Sequence, residues 1–142
     1  MTTTQSTNEQ SRDVLRTIYE AVATMDVPRF IDCCSEDLVL HSPAVGGTFE
    51  GRDAVLGCIG QLVSAYDWST LKVQSLAADG ERVAAQVSVE ASGPDRTVVE
   101  IAEWWTVRDG KATECRPYYH DPAVAVSIFD GVLKENAAEA SA

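Results

Sequence analysis

Residues 97–119, TVVEIAEWWTVRDGKATECRPYY, read as two alternating runs joined at Asp109-Gly110. Strand side chains alternate between faces with period two. Val99, Ile101, Glu103, Trp105 and Val107 therefore share one face, and Glu100, Ala102, Trp104, Thr106 and Arg108 share the other. The first set is a core face with one carboxylate at its centre. An ionised acid there is costly unless it is paired, hydrogen-bonded or kept protonated. Proteins keep such groups as structural pairs or for chemistry, so Glu103 is the leading candidate for a functional residue.

Which of those applies depends on the register of the hairpin. A two-residue type I′ turn sets Arg108 opposite Lys111 and Glu103 opposite Arg116, as a structural ion pair. A type I turn with Gly110 in a bulge instead sets Cys115 opposite Glu103. Thr113, Cys115, Pro117 and Tyr119 then share the face of Glu103, while Glu114 and Arg116 point away. In that register the acid is unpaired in an aromatic-lined cavity, and its pKa rises. The apolar character of Cys115, Pro117 and Tyr119 favours the bulge.

Upstream, Trp68 to Ala77 and Arg82 to Ala91 are further strands, separated by turns at Asp79-Gly80 and Gly93-Pro94. Before residue 66 the apolar period is helical. Val14, Ile18 and Val22 mark a first helix ending near Thr24, and Asp26 caps a short second helix with Pro28 in its first turn. Leu38 to Ser42 reads as a short strand, Gly46-Gly47 as loop, and Asp53 to Ala65 as a third helix. His120-Asp121 precedes Pro122, where Asp121 caps a last short helix to Phe129. The expected organisation is a disordered polar tail over residues 1–10, one folded domain over 11–130, and a flexible tail over 131–142. This is an α+β domain in which three N-terminal helices pack on a curved antiparallel sheet, forming a cone with an apolar interior.

Composition narrows the function classes. A net charge of −11 argues against nucleic acid and anionic membranes, which require clustered Lys and Arg. No apolar run approaches the roughly 20 residues that cross a bilayer, and the polar first ten residues lack the apolar stretch of a secretory signal. Cys33, Cys34, Cys58 and Cys115 form no disulfide framework, which fits reduced thiols in a cytoplasmic protein. With only His41 and His120 available and no zinc spacing, neither a metal nor a cofactor is expected.

The stretch LVLHSPAVGGTFEGRDAV, residues 38–55, resembles the strand–loop–helix entry of the SnoaL-like group. EWWTVRDGKATECRPYYHDP, residues 103–122, is similar to that group's closing hairpin. The group belongs to the nuclear-transport-factor-2-like superfamily, which includes ketosteroid isomerase and the polyketide cyclases, and the resemblance spans roughly residues 12–129. It implies a cystatin-like, cone-shaped α+β barrel. By position, Glu103 stands where the isomerase has its protonated oxyanion-hole aspartate and the cyclases a histidine, and Tyr119 where the isomerase has a pocket tryptophan. His41 matches a histidine common in the group. Ser42 stands in place of the isomerase's general-base aspartate, and Pro117 in place of the cyclases' acid/base aspartate. Ile18 takes the place of the oxyanion-hole tyrosine, with Tyr19 beside it. Neither mechanism transfers whole.

The resulting expectation is an enzyme that binds a small hydrophobic polyketide- or steroid-like molecule and performs cofactor-free isomerisation, cyclisation or dehydration. Glu103 is the acid/base, His41 the partner base, and Tyr19 the donor to an enolate oxygen. Trp105, Tyr119, Phe49, Trp68 and Ser42 form the binding walls, although alternation allows only one of His41 and Ser42 to face the cavity. Trp104, on the opposite face, points to a homodimer through the outer sheet surface. The alternatives are a non-catalytic ligand-binding module and an epoxide hydrolase; the latter needs a second acid and an arginine in the pocket.

Overall fold

The computed structural model describes residues 2–44 and 46–141, with side chains from Thr7 onward. The chain opens with helix α1 (Thr2–Thr24), which ends where Met25 takes a left-handed conformation and Asp26 N–H returns to Ala21 O at 2.8 Å. Asp26 then caps α2 (Val27–Asp32), its carboxylate accepting from Arg29 N at 3.3 Å. Next come β1 (Cys34–Ser42), β2 (Gly47–Glu50), α3 (Arg52–Leu62) and a 3-10 turn (Val63–Ala65). The strands β3 (Tyr66–Asp79), β4 (Arg82–Ala91), β5 (Val98–Arg108) and β6 (Lys111–Tyr119) follow, and α4 (Pro122–Ser141) closes the chain.

The six strands form one sheet in the order β2-β1-β6-β5-β4-β3. The α+β cone is as the alternation implied, but the sheet is mixed rather than wholly antiparallel. β1 runs parallel to β6, with Leu40 beside Cys115, because α2 delivers the chain directly into the slot next to the last strand. Register shifts interrupt the β1–β6, β3–β4 and β5–β6 pairings. Such bulges bend a strand and increase its twist, which gives the sheet its concave face. Leu15 and Ile18 of α1 meet Leu38, Val83, Val87 and Val89 of the sheet there, all fully buried.

Both ends of the chain differ from expectation. The segment over residues 1–10, read as a disordered tail, is helical from Thr2 onward. Asn8 Oδ1 accepts from Gly80 N at 2.6 Å, and just beyond the segment Ser11 Oγ donates to Gly80 O at 2.8 Å. The segment over residues 131–142, read as a flexible tail, continues α4 to Ser141. Alanine favours helix there, and Asn136 Nδ2 ties the helix to Gln61 O at 2.8 Å. β1 begins four residues earlier than expected, and Gly47 opens a short strand, β2, instead of lying in a loop.

Candidate functional site

Between the concave face and the helices lies an interior cavity of about 210 Å³. That exceeds the ~150 Å³ that admits benzene and falls short of the roughly 300–1,000 Å³ of drug-sized pockets. Its walls come from α1, α2, α3, every long strand and α4. Met25, Val27 and Val63 at its edge are all exposed, so the entrance is also apolar.

The hairpin that aims Glu103 adopts neither expected register. Asp109 and Gly110 both have positive φ (53° and 76°), as a two-residue type I′ turn requires, and Arg108 pairs with Lys111. The bulge lies on β6, where Thr113 is the extra residue between Ala112 and Glu114, and its hydroxyl donates to Thr106 O at 3.3 Å. Beyond it Glu103 faces Pro117, and Trp104 faces Arg116. Glu103 therefore points inward with Cys115, Pro117 and Tyr119, while Arg116 lies on the outer face, 3.3 Å from Glu114.

Glu103 Oε1 accepts a hydrogen bond from the Tyr19 hydroxyl at 2.6 Å, and Tyr19 in turn accepts from Trp105 Nε1 at 2.9 Å. The rings of Tyr19 and Trp105 meet edge to face, with centroids 6.3 Å apart. Among the described residues, the contact at Oε2 is the weak thiol donor of Cys115, at 4.0 Å. Glu103 as a residue is half-buried and lines the cavity. Desolvation thus pushes its pKa above the usual carboxylate range, and the hydrogen bonds from Tyr19 and Trp105 only partly oppose the shift. Burial and the neighbouring Glu103 charge push Tyr19 well up, so it stays a neutral donor. Burial likewise pushes the Cys115 thiol well up, which keeps it unreactive.

Tyr19, Ser42, Trp68, Trp105 and Tyr119 all line the same cavity as Glu103. Two expected residues do not. His41 is on the opposite side of β1 from Leu38, Leu40 and Ser42, and its Nε2 pairs with Glu114 Oε2 at 2.8 Å on the outer face. It cannot be the partner base, because strand parity sends it away from the ligand. Phe49 sits on β2 at the sheet edge, packed against the core but outside the cavity lining. Tyr19 itself needs a correction of role: its one proton is committed to Glu103, so it positions the carboxyl and cannot also serve an enolate. The arrangement that epoxide hydrolysis requires is not assembled, since the lining contains neither a second acid nor an arginine.

Sequence reading passed over Tyr66. It is the first residue of β3, buried, in the cavity wall, and its hydroxyl has no partner among the described residues. The available signal was its parity with Trp68, which points the same way two residues later.

On the outer face Trp104 is 42% exposed, with the Arg82 guanidinium 5.3 Å above its ring, and Tyr118 is 55% exposed. Among the described residues no group of three His, Cys, Asp or Glu side chains could hold a metal ion, and no helix is long and apolar enough to cross a membrane.

The family model for the SnoaL-like domain matches residues 15–115. Over 130 residues the chain is 28% identical to the uncharacterized protein Rv0034 of Mycobacterium tuberculosis, covering 87% of this chain and 98% of that one. Among solved structures it is similar to Bal32a from a soil-derived mobile gene cassette, with a TM-score of 0.77 and 20% identity over 87% of this chain and 98% of Bal32a. A Xanthomonas campestris protein with a cystatin-like fold gives a TM-score of 0.74 and 19% identity, over 84% of this chain and 97% of that one.

Proposed function

The chain belongs to the SnoaL-like family of the nuclear-transport-factor-2-like superfamily, and from that premise we propose that it is a cofactor-free enzyme moving a proton on a small hydrophobic carbonyl compound. One observation carries this reading: a single carboxyl, buried without a cation, with one oxygen fixed by Tyr19 and the other left toward an apolar cavity. The family includes isomerases and cyclases, which fits proton-transfer chemistry. Isomerisation suits a lone carboxyl best. In its ionised form Glu103 Oε2 takes a proton from the carbon next to the carbonyl, and the C–H electron pair moves into the enolate. Where the substrate carries a double bond between its β and γ carbons, the enolate is a dienolate. The same oxygen then returns the proton at the γ carbon as the double bond moves into conjugation, so no oxidant or second base is needed. Burial makes this carboxylate a stronger base than one in water, and low polarity strengthens every hydrogen bond to the developing charge. Cyclisation or dehydration of a polyketide- or steroid-like substrate would use the same proton carrier, with a larger ligand extending through the apolar entrance.

The working form in this reading is a cytoplasmic homodimer that covers Trp104 and Tyr118 on the outer sheet face. A second reading, a non-catalytic binding module, is favoured by the lack of any second base in the cavity lining. The two separate on the bicyclic ketone α-tetralone in heavy water, followed by mass spectrometry. The enzyme reading expects deuterium to enter beside the carbonyl, and Glu103→Gln to slow that entry by about 100-fold or more. Exchange that is equally fast in the variant refutes it, and binding without exchange selects the module.

A further inference from the structure

The residue that holds the ligand's oxygen is unassigned once Tyr19 is committed to Glu103. Tyr66 begins β3 directly after the 3-10 turn, and its backbone pairs with Ala91 of β4. Its ring is clamped edge to face by Trp68, at 5.2 Å and 77°, and by Phe129, at 5.7 Å and 82°. The residue is 6% exposed, and its hydroxyl reaches no polar atom of the described residues. Buried hydroxyls without a partner are rare in native proteins and call for an explanation, such as an absent water or ligand. This one is held rigidly in the wall of the cavity that contains Glu103.

Building on the proton-transfer reading, we infer that the Tyr66 hydroxyl donates a hydrogen bond to an oxygen of the ligand, and that the cavity selects neutral one- or two-ring compounds bearing such an acceptor. A phenol is a good donor and a weak acceptor, so the partner is a carbonyl-type oxygen. Burial first, and then the charge of Glu103, keep Tyr66 protonated, so it remains a donor throughout the neutral range. The hydroxyl makes no hydrogen bond to Glu103, and both residues line the same cavity. In this reading Tyr66 binds the oxygen and Glu103 serves the carbon beside it, two different atoms of one enolisable ketone. Neutrality follows from the lining, which offers an anionic ligand no cation and one carboxyl to repel it. Size follows from the cavity of about 210 Å³.

The test compares α-tetralone with tetralin, the hydrocarbon that lacks only the carbonyl oxygen. Affinities come from quenching of the cavity tryptophans Trp68 and Trp105. Tyr66→Phe keeps the ring and its packing. It is expected to weaken tetralone binding about tenfold and tetralin binding by less than about twofold. The infrared carbonyl band of bound tetralone is expected at lower frequency in the wild type than in the variant, a signature that a packing role would not produce. If the substitution leaves the tetralone-to-tetralin affinity ratio and the carbonyl band unchanged, Tyr66 does not hold the oxygen, although the cavity reading survives. If the wild type binds neither compound, that reading falls as well.

Discussion

Glu103→Gln should change the pH dependence of stability as well as turnover, and the size of that change follows from where the carboxyl sits. Burial raises its pKa in the folded protein above the unfolded value of about 4.3. The folded state therefore binds the proton more tightly. Stability from this group is fully present below about pH 4.3 and is lost as pH rises through the folded pKa. Each unit of elevation makes the folded state about 1.4 kcal/mol less stable once the group is ionised. For a chain of this length the unfolding entropy is about 0.3 kcal/mol/K, so each unit corresponds to about 4 to 5 °C in Tm. The glutamine variant keeps an oxygen for Tyr19 but has no charge to desolvate. Melting curves of both proteins between pH 4 and 8 supply the assay, and the difference between them isolates this group. Titration of the exposed Glu114, whose pKa is lowered by His41 and which acts in the opposite sense, cancels in that difference. The variant's Tm minus the wild type's should grow with pH and then level off above the folded pKa. Parallel curves across the whole range would mean that Glu103 is solvated or paired, and the argument for a poised carboxyl would fail.

Tyr19→Phe removes one hydroxyl from a three-residue chain of hydrogen bonds, leaving Glu103 without its donor and Trp105 Nε1 without its acceptor. It should destabilise by about 1–3 kcal/mol in a thermal melt and move the acid limb of the exchange pH profile upward, because the bond from Tyr19 lowers the Glu103 pKa. Trp104→Arg sets a charge in the middle of the exposed outer face, next to Arg82 and Arg116. Light scattering should then report a monomer with its cavity chemistry intact; an unchanged dimer would place the interface elsewhere.

The faces of the strands were legible from alternation, whereas the register was not. Parity alone put Glu103, Trp105 and Val107 inward; it allowed only one of His41 and Ser42 on the cavity side, and the structure places Ser42 there. It was the family resemblance that recommended His41. The hairpin shift was sought in the turn, but it occurs on β6 at Thr113. A bulge there carries no turn residue, and the pattern resumes beyond it with the apolar side chains again facing inward. Tyr66 stands where the helical period gives way to the strand period, so the alternation is legible only from Trp68 onward. The helix at the N-terminus was not legible in its polar residues, because the partner of Asn8, the backbone of Gly80, is 72 residues away in sequence. Composition has no access to such a contact.

The distribution of unfavourable groups separates function from structure more sharply than any single residue does. On the outer surface several charges are paired: Arg96 meets Asp67 at 2.7 Å and Glu90 at 3.2 Å, and His41 meets Glu114. Pairs this exposed contribute little to stability, roughly 0–1 kcal/mol each, so nothing at those places demands explanation. Inside, two polar groups belong to residues in the wall of one cavity, an acid without a cation and a hydroxyl without a partner among the described residues. Folding alone would favour Gln or Leu at the first position and Phe at the second. A Phe at position 66 would pack against Trp68 and Phe129 as well as the tyrosine does. Local departures of this kind are expected where a site is built at the expense of stability. Their placement around the same 210 Å³ space is what the proposal of one ligand serving both rests on.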